Sequence, residues 1–129
     1  MSKGNVALFS LVVLLAVTGL ASCSKVDPET LKGGETRQTL NPVYFTGEAQ
    51  KAYEAARNLP EVIDSLQCYC NCTESVDNRS LLSCFVDMSA RYCKTCMEAA
   101  LLAKEMNDGG KDVVEIRKTI DKKFSVGGQ

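Results

Sequence analysis

Residues 81–110 read LLSCFVDMSARYCKTCMEAALLAKEMNDGG, and the fold turns on whether this stretch is one helix or two. Leu81, Phe85, Met88, Tyr92, Ala99, Ala103 and Met106 recur at helical period, and the Gly109–Gly110 pair ends the run. Three cysteines lie along it, at positions 84, 93 and 96. At 3.6 residues per turn, Cys93 and Cys96 share a face, about 60° apart. Cys84 would stand about 180° round from Cys93 and about 13 Å along the axis. An unbroken helix therefore keeps Cys84 away from any site built on Cys93. A break near Asp87 to Ala90, where weaker helix formers gather, would bring them together. It would also put Cys93 at a helix N-terminus, where a thiol ionises more readily.

The remaining segments read as helical too. From Thr46, Ala49, Ala52, Tyr53, Ala56 and Leu59 follow three- and four-residue steps. Leu59-Pro60 interrupts that helix, because proline lacks an amide proton and disfavours helix in the residue before it. Pro60 suits the first turn of a new short helix with Val62, Ile63 and Leu66 inward. Asp112 with Glu115 forms a capping pair for a last helix through Val113, Ile116, Ile120 and Phe124. No stretch alternates as a strand would. The expectation is a small all-α, Cys-rich domain of about four to five helices over residues 42–126, with Pro42 to Phe45 docking on it.

The start of the chain has a different character. Lys3 precedes an apolar run from Val6 to Leu20, and Leu20-Ala21-Ser22 leads into Cys23. The run is about 15 residues, shorter than the roughly 20 that span a bilayer, so residues 1–22 read as a secretory signal peptide. Leu-Ala-Ser-Cys resembles a bacterial lipobox, which makes Cys23 the lipidated first residue of the mature chain. Acyl chains there would anchor the protein to a cell membrane or outer membrane, facing the periplasm or exterior. Residues 24–41, with a proline, a glycine pair and mixed charge, read as a disordered tether between Cys23 and the domain.

Composition removes several function classes. With the signal peptide gone, fourteen basic side chains face sixteen acidic ones, mixed along the chain, so no basic patch points to nucleic acid. Histidine and tryptophan are absent, which excludes a Cys-His or Ser-His catalytic pair. Setting Cys23 aside leaves six cysteines: Cys68, Cys70, Cys72, Cys84, Cys93 and Cys96. An even number in a small exported domain fits a disulfide framework.

Cys68-Tyr69-Cys70-Asn71-Cys72 sets its thiols at alternate positions. Neighbours two apart seldom meet the geometry of a bridge, so these three look toward the helical three. Either loop-to-helix disulfides staple the core, each adding about 2–4 kcal/mol, or thiolates surround a soft cation. Tyr69 reads as a packing or hydrogen-bonding residue. Lys118, Asp121, Lys122 and Lys123 read as a solvated helix face. Asp87 and Glu98 stand where they could support a thiolate site.

Cys68-Tyr-Cys-Asn-Cys72, Ser80-Leu-Leu-Ser-Cys84-Phe-Val-Asp87, Cys93-Lys-Thr-Cys96 with Glu98-Ala99, and Ile116 to Phe124 together resemble the bacterial CYCXC, or PCYCGC, motif lipoproteins. Thr46-Gly47, Ala52-Tyr53-Glu54 and Leu59-Pro60 fit the same pattern, so the resemblance covers about residues 43–124. It implies an envelope lipoprotein of no assigned activity, some of whose relatives place selenocysteine at a motif cysteine. Relatives commonly have Cys-Gly-Cys where this chain has Cys70-Asn-Cys72. They also carry histidines near the positions of Asn78-Arg79 and Met88-Ser89-Ala90, so any site here must be built from thiolates.

Three readings follow. Cys68, Cys70, Cys72, Cys84, Cys93 and Cys96 hold a soft metal ion, copper- or zinc-like; thiolates favour these ions, and no carboxylate cluster suits calcium or magnesium. Alternatively Cys93-x-x-Cys96, or the Cys-x-Cys pair, is a redox dithiol, although the βαβ pattern of thioredoxin-like enzymes is missing. Or all six form disulfides in a structural or adaptor lipoprotein. The partners implied are the membrane, through the lipid anchor, and an exported metal or redox protein.

Overall fold

The computed structural model describes residues 25–70 and 77–125. Residues 1–22, read above as a signal peptide, and Cys23 and Cys72 lie outside them. Among the described residues there are four α-helices and no strand. They are α1 (Gly47–Asn58), α2 (Pro60–Asp64), α3 (Lys94–Asp108) and α4 (Val113–Phe124), joined by short 3-10 turns. No helix among these residues is long and apolar enough to cross a membrane.

Helix α3 is the central element and touches both α1 and α4. Both α1 and α3 bury alanines (Ala52, Ala55 and Ala56; Ala99, Ala100 and Ala103), which lets their backbones approach closely. Larger side chains fill the rest of the core: Tyr53, Phe85, Ile63, Leu66, Leu81, Ile116 and Ile120. Each such side chain contributes about 1.5–3 kcal/mol by leaving water. Phe45 stacks on Tyr53 with centroids 3.8 Å apart, and Tyr53 meets Phe85 edge-on at 5.0 Å. The Tyr53 hydroxyl donates to the Asp87 carbonyl at 2.6 Å. Burial, the largest influence on it, pushes its pKa up to about 12.

The helix boundaries follow local chemistry. α1 ends at Leu59, and Pro60 opens α2. The Asp112 carboxylate accepts from the Glu115 amide at 2.9 Å and caps α4. At the end of α3, Lys111 donates to the Met106 carbonyl and Gly110 to that of Asn107, each at 3.0 Å. This closure places Gly110 at φ 81°, a conformation that glycine adopts without strain.

Residues 81–110 are not one helix. Leu81–Phe85 and Ser89–Tyr92 are 3-10 turns separated by bends, and α3 begins only at Lys94. The break expected near Asp87 to Ala90 is present. The single apolar stripe expected along the run is not continuous across it: Leu81, Phe85, Ala99 and Ala103 are buried, while Met88 and Tyr92 are 39% and 78% exposed. A period of 3.6 residues loses its register wherever the chain changes to three residues per turn.

The segment expected to be a disordered tether is part of the fold from Lys25 onward. Pro28–Leu31 forms a 3-10 turn against α4, Glu35 is buried, and the Leu40 amide donates to the Phe85 carbonyl at 2.9 Å. Composition misled because this segment's partners lie far along the chain. The buried Asp64 carboxylate accepts from the Gly34 and Glu35 amides, both at 3.0 Å, and from the Ser80 hydroxyl at 2.7 Å. Glu35 in turn accepts from Ser83 Oγ at 2.6 Å and from the Arg37 guanidinium. Gly33 is required where it stands, because a Cβ there would lie 2.4 Å from the Arg79 carbonyl oxygen.

Candidate metal centre

The polar network around Asp64 sits beneath the cysteines. Ser80 caps the turn Leu81–Phe85: its Oγ accepts from the Leu82 amide, while Ser83 Oγ accepts from the Arg79 and Ser80 amides. That turn carries Cys84. The Leu81 amide donates to the Leu66 carbonyl at 2.8 Å, closing the neck of the loop that starts after α2. Cys68 and Cys84, sixteen positions apart in sequence, are thereby brought into contact.

Tyr69 explains the alternation in Cys-Tyr-Cys. Its hydroxyl donates to Asp121 Oδ1 on α4 at 2.5 Å, and its ring lies 5.8 Å from that of Phe124. Burial, then the bond to Asp121, pushes its pKa up. In a non-helical segment successive side chains leave the backbone on opposite sides. With Tyr69 directed at α4, Cys68 and Cys70 turn toward Cys84 and Cys96. Arg117 reinforces the arrangement by bonding Asp121 through Nε and the Ser65 carbonyl through Nη1 at 2.7 Å. Asp121, read from sequence as part of a solvated face, is instead a structural acceptor.

Cys68, Cys70, Cys84 and Cys96 place their sulfurs within 4.8 Å of one another. Cys68 lies 3.3 Å from Cys70 and from Cys84, and Cys96 lies 3.3 Å from Cys70. A tetrahedral ion with metal–sulfur bonds of about 2.3 Å needs sulfurs about 3.8 Å apart, so small movements would complete such a shell. Cys84 and Cys96 are 5% and 1% exposed. Cys93 stands at the N-cap of α3, where its sulfur accepts from the Cys96 amide at 3.3 Å. Of the six cysteines expected at the site, four converge, Cys93 caps the helix at their side, and Cys72 lies outside the described residues.

The states of the sulfurs differ. Cys68, Cys84, Cys93 and Cys96 are free thiols, whereas Cys70 is disulfide-bonded. Three loop-to-helix staples are therefore not what the structure contains. Cys68 and Cys70 turn toward Cys84 and Cys96 as expected, with the sulfurs 3.3 Å apart rather than bonded across. Hydrogen bonds from Cys84, then Cys96, pull the Cys68 thiol down to about 2. The same bond to Cys68 pushes Cys84 up to about 12, and Cys96 rises as well through Cys68 and then Cys84. These sulfur–sulfur hydrogen bonds thus favour ionisation of Cys68 over that of Cys84 and Cys96.

A cavity of about 20 Å³ adjoins the sulfurs, lined by Cys70, Asn78, Ser83, Cys84, Ser89, Cys93 and Cys96. That is room for one water molecule or ion. Asn78 Nδ2 donates to Cys84 Sγ at 3.9 Å, and Asn78 Oδ1 is buried with no hydrogen-bond partner among the described residues. Asn78 and Ser89 both line this cavity. Asp87 and Glu98 serve other ends: Asp87 accepts from the Ser89 amide at 2.7 Å, and Glu98 pairs with Lys94. Sequence reasoning passed over Asp64, Glu35 and Asn78. The Ser80-x-x-Ser83 spacing was the one local signal for the capped turn that carries Cys84.

The described residues thus form a small helical, cysteine-rich domain that gathers four cysteine sulfurs beside a buried polar network. The chain belongs to the family described as proteins of unknown function with a PCYCGC motif, whose model matches residues 35–128. Gln67 and Asn71 stand here in place of the motif's proline and glycine. No curated protein and no solved structure matches it.

Proposed function

We propose that the protein is a membrane-anchored extracytoplasmic lipoprotein whose sulfur cluster binds one soft metal ion, copper- or zinc-like. The observation that carries this reading is the convergence of four sulfurs within 4.8 Å, two of them buried. Cys68, Cys84 and Cys96 supply three thiolates, a set that suits trigonal Cu(I) or three sites of a zinc tetrahedron. The Cys70 sulfur completes four once its disulfide is reduced. Lipidation at Cys23 holds this site outside the cytoplasm, where it sequesters the ion or passes it to an exported partner.

The test is purification under reducing, anaerobic conditions followed by titration with Cu(I) and Zn(II) against a competing chelator. One ion per chain is expected, with affinity lost in C84S and in C96S. A fully reduced protein that takes up neither ion would end the proposal.

A further inference from the structure

In sequence, Cys23 stands two residues before Lys25, where the chain already lies against the domain. Two peptide units reach about 7 Å, and the headgroup layer of a bilayer is itself about 5–7 Å deep. A lipid on Cys23 therefore brings Lys25 and its surroundings to headgroup level. Lys25, Val26 and Pro28 form one wall of an open cleft of about 850 Å³, and Val114 and Lys118 on α4 form the other. Val26 is 50% exposed.

The charges along this cleft are not equivalent. Its acidic groups are engaged within the fold: Asp27 accepts from the Glu29 amide at 3.0 Å, Asp112 from the Glu115 amide at 2.9 Å, and Glu115 pairs with Lys111 at 2.7 Å. The ammonium groups of Lys25 and Lys118 have no partner among the described residues. Apolar carbon flanked by two free cations complements a phospholipid surface, with phosphate oxygens at the ammonium groups and glyceryl and methylene carbon at the valines.

We propose that this cleft is the face on which the domain rests against the phospholipid bilayer, with Lys25 and Lys118 pairing with lipid phosphates on either side of Val26 and Val114. The contact rests on the lipidation at Cys23 proposed above. It leaves the sulfur cluster clear of lipid. The cleft of about 420 Å³ that opens Cys68 and Cys70 to solvent is lined by Thr95 and Phe124. Phe124 closes α4, about 15 Å along the helix axis from Val114. The bilayer meets one end of α4, and the sulfurs open to water at the other.

The experiment uses the full lipidated protein in vesicles of phosphatidylethanolamine and phosphatidylglycerol, with and without a nitroxide on the lipid headgroups. The chain has no tryptophan, so V26W supplies a single fluorescent probe at a half-exposed position. Y92W is the control, at a position 78% exposed and three residues before Thr95 of the sulfur cleft. V26W should lose most of its emission to the nitroxide, and Y92W almost none. V26W emission that the nitroxide leaves unchanged would overturn the contact. A Gly-Ser linker of about 20 residues between Ser24 and Lys25, averaging roughly 25 Å, separates docking from proximity. Quenching should survive the linker and be lost when K25E and K118E are added to it. Emission that recovers with the linker alone would overturn docking by this face. Intact mass reads the anchor separately: an acylated protein whose V26W is not quenched refutes the contact and leaves the anchor standing, whereas a chain with no acyl group on Cys23 refutes the anchor and the contact with it.

Discussion

Metal uptake at this cluster should be strongly pH-dependent, and its slope can be worked from the arrangement of protons. With the Cys70 bridge in place, the ligands are Cys68, Cys84 and Cys96. Hydrogen bonds from Cys84 and then Cys96 pull the Cys68 pKa down, so Cys68 is expected to be ionised before the ion arrives. Cys84, pushed up to about 12 through its bond to Cys68, and Cys96, raised in the same way, keep their protons. An ion that takes all three sulfurs as thiolates therefore displaces three protons less the one already gone, which is two. The apparent affinity should rise about 100-fold per pH unit across roughly pH 6 to 8, or about 2.7 kcal/mol per unit. Competition against a chelator of known proton affinity, repeated across that range, reads the slope directly. A slope of three would mean that Cys68 is not ionised in the free protein. A slope near zero would mean that these thiols are not the ligands.

Three further outcomes follow from the same geometry. C84S and C96S should each weaken metal binding by more than about 100-fold, beyond the range typical of residues that only support ligands, whereas C93S should keep it within about tenfold; isothermal titration separates them. Gly33→Ala should lower stability by about 1–3 kcal/mol in urea unfolding, since its Cβ must displace the Arg79 carbonyl against which Gly33 packs. Glu35 is held down at about 2 by Arg37, and then Ser83, against burial. A depressed carboxylate stabilises the fold above its ordinary value of 4.5, and that contribution is lost as pH falls toward about 2. Acid titration should therefore show wild type losing stability across that window, and E35Q should be less stable than wild type at neutral pH but lose less on acidification.

Much of this fold was legible because local rules and tertiary contacts agree. Pro60, Asp112 and the Gly109–Gly110 pair mark element boundaries where the structure has them, since each acts on backbone within a few residues of itself. The need for a break before Cys93 could be read from the incompatible angles of Cys84 and Cys93 on one helix. What could not be read depends on partners distant in the chain. Asp64 binds Gly34 and Glu35, some thirty residues upstream, and no periodicity records that pairing. Tyr92 was placed inward because the helical period was carried through turns that do not keep it. Cys93 and Cys96 look equivalent by spacing, yet the start of α3 between them uses one as a cap and sends the other into the cluster.

X-ray absorption on the zinc-loaded, reduced protein addresses the central claim most directly. An all-sulfur shell at about 2.3 Å, with sulfur scatterers lost in C84S, is the result this account requires. A shell dominated by nitrogen or oxygen, or zinc scattering unaffected by loss of Cys84, would contradict it.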